Sequence, residues 1–262
     1  MTSTVYSGVR YCKRKSRRFA KRLRIPSIVW WSVLGIAGLF TLNLVYQVIR
    51  KPGELFVAIS GSLAKSPATT WQSYGALFQK YSTSIISPEL LAALAQVESD
   101  GNPLARTYWR WQWSWNPFEI YRPASSALGM FQLTDGTFAE ARKYCIRDHK
   151  VVTEDSSNNS PSCWFNGLYT RTLASHAVEL TAAYLHQSVI KTLAARGRTK
   201  ASPGQKQKLA AVIHLCGLKT GETFSAGGFR VTPGLFCGTH SLQRYLGRFE
   251  LMKKRFARLA GN

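Results

Sequence analysis

The most apolar part of the chain is a run from Ile25 to Ile49 that contains no charged residue. A helix needs about 20 mainly apolar residues to cross a bilayer. Trp30, Trp31 and Tyr46 lie near the ends of the run, where aromatic side chains favour the membrane interface. The run is longer than the apolar part of a cleaved signal peptide, which has about 7–15 residues. We therefore predict a transmembrane signal anchor over residues 25–49, with a cleaved signal peptide as the alternative.

After residue 86 the apolar positions recur at helical spacing. The first helix begins after Ser87, a good N-cap residue, has Pro88 at its first position and ends at Gly101. Further helices are predicted at about residues 135–145, 173–196, 206–216 and 241–259. Residues 50–86 are predicted as a stalk or accessory helical segment, and residues 87–262 as one mostly α domain without an internal repeat.

One window alternates with a period of two. Tyr108–Phe118 reads YWRWQWSWNPF, with tryptophan at positions 109, 111, 113 and 115. This spacing predicts an extended strand that carries all four indoles on one face. No other convincing strand is predicted. The window alone does not show whether the indoles contact a core, a membrane, a nucleic acid or a flat ligand.

The basic residues indicate which way the anchor lies in the membrane. Residues 1–24 contain nine Lys or Arg and no acidic residue, and the first acidic residue of the chain is Glu54. The positive-inside rule predicts a cytoplasmic arm over residues 1–24 and export of the chain after about residue 50. Of the 35 basic residues, 26 remain after the arm, against 13 acidic ones. A body this basic indicates an anionic partner, such as lipid head groups or an acidic wall polymer. Since topology explains the arm, we predict no nucleic-acid partner.

Four of the five cysteines lie on the exported side, which favours disulfides. Cys145, Cys163, Cys216 and Cys237 allow three pairings. We choose Cys145–Cys163 with Cys216–Cys237, because this pairing closes the shortest loops. A zinc site lacks a closely spaced ligand pair, and no metal is predicted.

Glu98 occupies an unusual position in the first helix of the domain. It lies four residues after Leu94 and seven after Leu91, which places it on the apolar face. Burial disfavours the charged carboxylate, and a carboxyl that stays protonated near neutral pH is what a glycosidic general acid needs. The structural alternative is a glutamate at a helix end that pairs with an arginine such as Arg106.

Two separated blocks follow one another in register. The first contains Glu98-Ser99 and Asn102-Pro103-Leu104-Ala105, and the second contains Gly129-Met130-Phe131-Gln132-Leu133 and Thr137. Together they resemble the lytic transglycosylases of the lysozyme-like superfamily. The resemblance covers roughly residues 85–260. It implies a lysozyme-like helical domain of the goose-lysozyme or SLT type behind the transmembrane helix. It also implies a bacterial inner-membrane protein with a periplasmic catalytic domain that acts on peptidoglycan glycan strands.

The resemblance implies roles for several residues and also has departures. Ser99 and Gln132 would orient Glu98 or the sugar amide, and Met130 and Tyr184 would line the groove. In a third block, His214 and Leu215 stand where the family has Tyr and Asn. In the long helix before that block, Ala177 stands where the family has another Asn. His214 either faces the groove or is a buried or capping residue.

The implied mechanism uses Glu98 alone, first as an acid and then as a base. It cleaves the bond between N-acetylmuramic acid and N-acetylglucosamine and yields a 1,6-anhydro end, with the substrate acetamido group in place of a carboxylate nucleophile. No cofactor is implied. A hydrolytic muramidase using Asp100 or Asp135 is one alternative, and an inactive glycan-binding scaffold is another. A tethered wall-cutting enzyme would suit wall turnover or a secretion or conjugation apparatus, and the scaffold would belong to such an apparatus.

A different enzyme class is a weaker alternative. Ser162–Asn166 reads SCWFN and is similar to the Cys-Trp of papain-like nucleophiles, but an exported Cys with three companions is more often half of a disulfide.

The tryptophan window is an insertion of about a dozen residues relative to the family, between Glu98 and Gly129. Indole faces stack well on sugar rings. We therefore expect Trp113 or Trp115 to form a glycan platform, while the other indoles anchor the insertion by packing on the domain.

Overall fold

The structure is a computed structural model that describes residues 26–56, 61–153, 163–195 and 201–261. The seven α-helices of this part are α1 (Ser27–Arg50), α2 (Pro67–Lys80), α3 (Pro88–Ser99), α4 (Asp135–Ala141), α5 (Ala174–Ala195), α6 (Pro203–Ala226) and α7 (Leu242–Ala260). Three antiparallel strand pairs complete it: β1 (Trp109–Trp111) with β2 (Tyr121–Pro123), β3 (Tyr144–Arg147) with β4 (Lys150–Thr153), and β5 (Phe236–Cys237) with β6 (His240–Ser241). The fold is therefore mostly α, as predicted. The basic arm predicted over residues 1–24 lies outside the described residues.

Helix α3 lies at the centre of the core. Its N-terminus has the predicted cap, in which the Ser87 hydroxyl accepts a hydrogen bond from the Leu90 amide, and Asp100 ends it in the left-handed conformation. Seven consecutive residues, Leu90–Gln96, are buried, because α2 and α7 pack against α3. This packing holds the C-terminal end of α3 beside α7. Elsewhere in the domain, α5 packs against α6.

Helix α2 lies in the segment predicted as a stalk or accessory helix. It is capped by Ser66, and its Phe78 is fully buried in the same core cluster as α3. A helix thus accounts for residues 67–80, and it packs as part of the domain body. The division of the chain into domains stays a prediction.

The chain turns into strands where the sequence predicted helix or loop. The helix predicted to residue 145 ends at Ala141, and Cys145 lies in the β3–β4 hairpin. Asp148 and His149 both have positive φ, the backbone of a tight turn whose twist matches that of the paired strands. The prediction of no strand outside the tryptophan window is therefore wrong here, at β2 and at β5–β6.

Helix α6 extends well past the predicted end at residue 216. Gly217 has φ 81° and ψ 173°, which breaks the helix into two segments. Glycine adopts positive φ at low cost, so the chain changes direction here and then continues as helix to Ala226.

Both predicted disulfides are confirmed. Cys145–Cys163 joins strand β3 to the residue before the short 3-10 turn Trp164–Leu168, and Cys216–Cys237 joins α6 to strand β5. The second bond lies next to the break at Gly217 and ties the last turn before it to the β5–β6 hairpin.

The tryptophan window forms a shorter strand than predicted. Pairing ends at the Trp111–Tyr121 register, and Trp113 and Trp115 lie in the connecting loop, where Asn116 caps the turn Pro117–Glu119. The four indoles therefore do not share one strand face. Trp109 is half-buried, whereas Trp113 and Trp115 are fully exposed, so the latter two do not pack on the domain.

Candidate active site

The carboxyl of Glu98 lies in the last turn of α3, with 15% of its side chain exposed. The Tyr245 hydroxyl donates a hydrogen bond of 2.6 Å to its Oε1. His214 Nε2 lies 3.5 Å from the same oxygen. Among the described residues both groups reach Oε1, which leaves Oε2 as the oxygen to present to a substrate.

Tyr245 reaches Glu98 because α7 packs along α3. Leu242, Leu246 and Phe249 share the buried face of α7 with Tyr245. Burial raises the pKa of the Tyr245 phenol well above its usual value, and the charge of Glu98 and the hydrogen bond to it raise this pKa further. The phenol is therefore neutral and able to donate at physiological pH.

Sequence reasoning missed Tyr245. A signal was nevertheless present, because a tyrosine in the apolar stripe of an amphipathic helix needs a hydrogen-bond partner for its hydroxyl. The partner of this hydroxyl depends on the packing of α7 against α3. The sequence of α7 does not specify that α3 is the helix it packs against.

His214 is one of the two altered residues of the third block. It lies on α6, one turn before Gly217, and only 6% of its side chain is exposed. Of the alternatives left open for it, the structure favours a buried residue, and it adds a contact with Glu98 that was not predicted.

The loop after strand β2 is held against the end of α3 by Ser99 and Gln132. The Ser99 hydroxyl lies within hydrogen-bonding distance of the carbonyl oxygens of Met130 (2.7 Å) and Ala95 (3.1 Å). Gln132 has positive φ, and its side-chain amide donates to the carbonyls of Ala105 (3.1 Å) and Gly129 (3.0 Å). Both residues therefore contact backbone carbonyls. The expectation that they orient Glu98 or the sugar amide stays a prediction.

Gly129 allows this loop to approach the neighbouring chain closely. It has φ 83°, and a Cβ added there would lie 2.1 Å from the carbonyl oxygen of Arg171. Only glycine fits at this position without a shift of backbone, which explains the glycine in the Gly-Met-Phe-Gln-Leu block.

A family model matches this part of the chain. The model of the transglycosylase SLT domain matches residues 76–192. These residues are an SLT domain. Members of this family are lytic transglycosylases, so the family-level function is action on peptidoglycan. Comparison with curated proteins and with solved structures gives no match.

Glu98, Ser99, Gln132 and Tyr184 lie inside the matched range of the SLT domain, whereas His214 and Tyr245 follow it. The two side chains that contact the Glu98 carboxyl, Tyr245 and His214, therefore both lie outside the segment that the family model covers.

Two predicted groove residues lie in the core of the SLT domain. Met130 is fully buried and Tyr184 nearly so, and burial raises the pKa of the Tyr184 phenol. Both pack inside the helical cluster, and their role in lining a groove stays a prediction.

The two other carboxylates near the SLT motifs have structural partners. Asp135 is at the N-terminus of α4 and forms an ion pair of 2.8 Å with Arg171. Asp100 ends α3 and accepts a hydrogen bond of 3.3 Å from Gln96. Over the described ranges, no group of three or more His, Cys, Asp or Glu side chains could hold a metal ion.

Proposed function

We propose that this protein is a peptidoglycan lytic transglycosylase in which Glu98 acts first as general acid and then as general base. The observation that supports this role is the arrangement at the carboxyl: Glu98 is largely buried, and Tyr245 and His214 approach one of its two oxygens. Such contacts hold a carboxyl in one orientation, which general acid catalysis requires.

In the first step, Glu98 donates its proton to the glycosidic oxygen between N-acetylmuramic acid and N-acetylglucosamine. The bond from this oxygen to the anomeric carbon breaks, and the acetamido group of the muramic acid stabilises the positive charge. The ionised Glu98 keeps its hydrogen bond from Tyr245, which stabilises the carboxylate that forms.

In the second step, the carboxylate of Glu98 removes the proton from the 6-hydroxyl of the same sugar. The oxygen of that hydroxyl bonds to the anomeric carbon and closes the 1,6-anhydro ring. Glu98 is protonated again at the end, so the cycle consumes no water and needs no cofactor.

A hydrolytic muramidase is the first alternative. It would need a second carboxylate to activate water or to form a covalent intermediate. Asp135 pairs with Arg171, and Asp100 ends a helix, so both candidates already have structural roles. These contacts favour the single-carboxylate mechanism.

An inactive glycan-binding scaffold is the second alternative. The altered residues His214 and Leu215 are the sequence evidence for it. A scaffold has no need for a buried carboxyl aligned by a tyrosine, and the Glu98–Tyr245 hydrogen bond therefore favours an active enzyme.

We also propose that α1 anchors the protein in the bacterial inner membrane, with the basic arm in the cytoplasm and the SLT domain in the periplasm. Among the described residues, α1 is the one helix long and apolar enough to cross a membrane. A tethered enzyme would open peptidoglycan locally, in wall turnover or for a secretion or conjugation apparatus.

The test compares the wild type with Glu98→Gln on purified peptidoglycan, with products identified by mass spectrometry. We expect anhydro-muropeptides from the wild type and a loss of roughly 100- to 10,000-fold in the variant, the usual contribution of general acid-base catalysis. Glu89→Gln is the matched control, because it makes the same change in the first turn of the same helix and should retain activity.

Three other results would contradict the proposed mechanism or favour one of the two alternative functions. Unchanged anhydro-muropeptide release by Glu98→Gln would overturn the proposed mechanism. Products with reducing ends in place of anhydro ends would identify a muramidase. A wild type that binds glycan strands and releases nothing would identify a scaffold.

A further inference from the structure

Helix α1 has the reverse of the burial pattern of a helix in a water-soluble domain. Its two buried residues, Asn43 and Gln47, are both polar and lie one turn apart. Large apolar side chains along its length, such as Trp31, Leu39 and Leu42, are exposed. Since apolar side chains are normally buried from water, this arrangement fits a helix whose outer face contacts lipid and whose polar residues contact protein.

The protein that covers the polar side of α1 is the tryptophan insertion. We call residues 108–123 the aromatic hairpin; it contains β1, β2 and the loop between them. Gln47 donates a hydrogen bond of 2.7 Å from its side-chain amide to the Phe118 carbonyl. The rings of Tyr46 and Phe118 stack with centroids 5.2 Å apart. Arg50 forms an ion pair of 2.6 Å with Glu119.

A second set of contacts reaches deeper along α1. The ring of Phe40 meets Trp111 edge-on, with centroids 6.3 Å apart, and meets Tyr121 at 6.4 Å. Phe40 lies ten residues before Arg50, which is about 15 Å along a helix axis. The aromatic hairpin thus follows the part of α1 that runs from its charged end toward the middle of the apolar run.

These contacts fix the depth of the hairpin if α1 crosses a bilayer. Arg50 is the first charged residue after the apolar run and marks the head-group level. Half of a hydrocarbon core is about 15 Å thick, and each head-group region adds about 5–7 Å. Phe40, about 15 Å below Arg50, and Trp111 in contact with it therefore lie within the outer leaflet. The hairpin cannot keep its contacts with α1 and remain away from the membrane.

The side chains that the aromatic hairpin leaves uncovered suit that location. Trp111 is 66% exposed, and Trp113 and Trp115 are fully exposed. Contiguous exposed apolar side chains mark a surface that binds a partner, and tryptophan is the residue that favours the boundary between head groups and acyl chains. Arg110, which precedes Trp111 in strand β1, is also exposed, and lipid phosphates would attract its charge.

We propose that the aromatic hairpin is a second membrane contact, which places the indoles of Trp113 and Trp115 in the outer-leaflet interface of the bilayer that α1 crosses. This inference depends on the proposed anchoring by α1. A domain held by one helix can swing on its linker, whereas one held at two points keeps one face toward the membrane and its active site at a set height below the wall.

Lipid is favoured over the glycan expected for Trp113 and Trp115 because Trp111, in the same hairpin, contacts Phe40 on α1, whose ring is 49% exposed. A glycan platform requires these indoles to face the wall, on the opposite side from the bilayer.

The experiment measures membrane depth by spin labelling of the full chain in proteoliposomes made of phosphatidylethanolamine and phosphatidylglycerol. The background variant Cys12→Ser removes the one cysteine outside the two disulfides. Single labels are introduced by Trp113→Cys or Trp115→Cys, which are safe substitutions because both side chains are fully exposed. Leu34→Cys tests α1 itself, and Leu251→Cys is the matched control, an exposed apolar position on α7.

We expect oxygen to relax the labels at 113 and 115 several-fold more than a water-soluble nickel chelate does, at a depth of about 5–10 Å, as for interfacial segments. The label at 251 should favour the chelate. A label at 34 in the bilayer with labels at 113 and 115 in water would overturn the hairpin contact and leave the anchor intact. A label at 34 in water would overturn the anchoring and the hairpin contact together.

A second measurement separates lipid from glycan. The double variant Trp113→Ala/Trp115→Ala should bind soluble glycan strands as the wild type does, because its indoles contact lipid. A several-fold loss of glycan affinity in detergent, with no change in melting temperature, would overturn the proposal in favour of a glycan platform.

Discussion

The hydroxyl of Tyr245 lies 2.6 Å from Oε1 of Glu98, although 147 residues separate the two in the chain. The contact joins the end of α3 to the first turns of α7, and it orients the carboxyl that the proposed mechanism uses twice. Four predictions follow from this site and from the contacts that hold the insertion.

Removing the Tyr245 hydroxyl should slow turnover more than it weakens substrate binding. Tyr245→Phe deletes a hydrogen bond to a carboxylate, worth about 1.5–3 kcal/mol, which corresponds to a fall of roughly 10- to 150-fold in kcat. Steady-state release of anhydro-muropeptides measures it. Tyr74→Phe removes a hydroxyl from α2 without touching Glu98 and should leave kcat unchanged; equal effects of the two variants would contradict a positioning role for Tyr245.

The contact between His214 and Glu98 is longer, and its loss should cost less. His214→Ala should lower kcat by roughly 2- to 10-fold, less than the Tyr245 change, because at 3.5 Å the contact is longer than a good hydrogen bond. His214→Gln keeps an N–H donor of similar reach and should recover most of that activity. If the Gln variant is as impaired as the Ala variant while both melt at the wild-type temperature, donation to Glu98 is not what His214 supplies.

Alkaline pH should destabilise the fold through Tyr245. Its pKa in the folded state is raised by burial, by the charge of Glu98 and by their hydrogen bond, while in the unfolded chain it is about 10. The contribution of this phenol to stability is therefore complete below about pH 10 and is lost as pH rises above it. Urea midpoints at pH 8 and pH 10.5 should differ less for Tyr245→Phe than for the wild type.

Other buried tyrosines reduce this difference without removing it. Burial also raises the pKa of Tyr81 and Tyr184, so the variant should keep part of the alkaline sensitivity. An identical loss of stability in both proteins would show that Tyr245 ionises as readily folded as unfolded.

The buried carboxylate of Glu54 should hold the aromatic hairpin to the domain. It accepts hydrogen bonds from Arg106 (2.7 Å) and from the Trp109 indole (2.8 Å) and is almost fully buried. Glu54→Gln leaves the charge of Arg106 without its partner, and breaking a buried pair costs about 3–5 kcal/mol. Chemical denaturation should show a loss toward the lower end of this range.

The partly exposed pair Glu250–Lys253 on α7 provides the control for this measurement. Glu250→Gln makes the same substitution at the surface, where an ion pair contributes about 0–1 kcal/mol. Similar losses for the two variants would mean that the Glu54–Arg106 pair adds little to stability.

The sequence alone determined the features that depend on near neighbours in the chain. The cap at Ser87, the end of α3 after Ser99, the bounds of α5 and α7 and the apolar span all follow from local spacing and capping chemistry. The position of Glu98 on the apolar face also depends only on residues within two turns, but its catalytic role was predicted from the two motif blocks around it.

Tertiary structure decided the features that depend on distant segments. The sequence placed four indoles on one strand face, but pairing with β2 stops at Trp111, so Trp113 and Trp115 lie in the exposed loop beyond it. Tyr245 and His214 reach Glu98 because α7 packs on α3 and α6 packs on α7, and Met130 lies in the same core cluster. A local pattern specifies which face of an element is apolar, whereas the partner of that face is selected by packing of the whole chain.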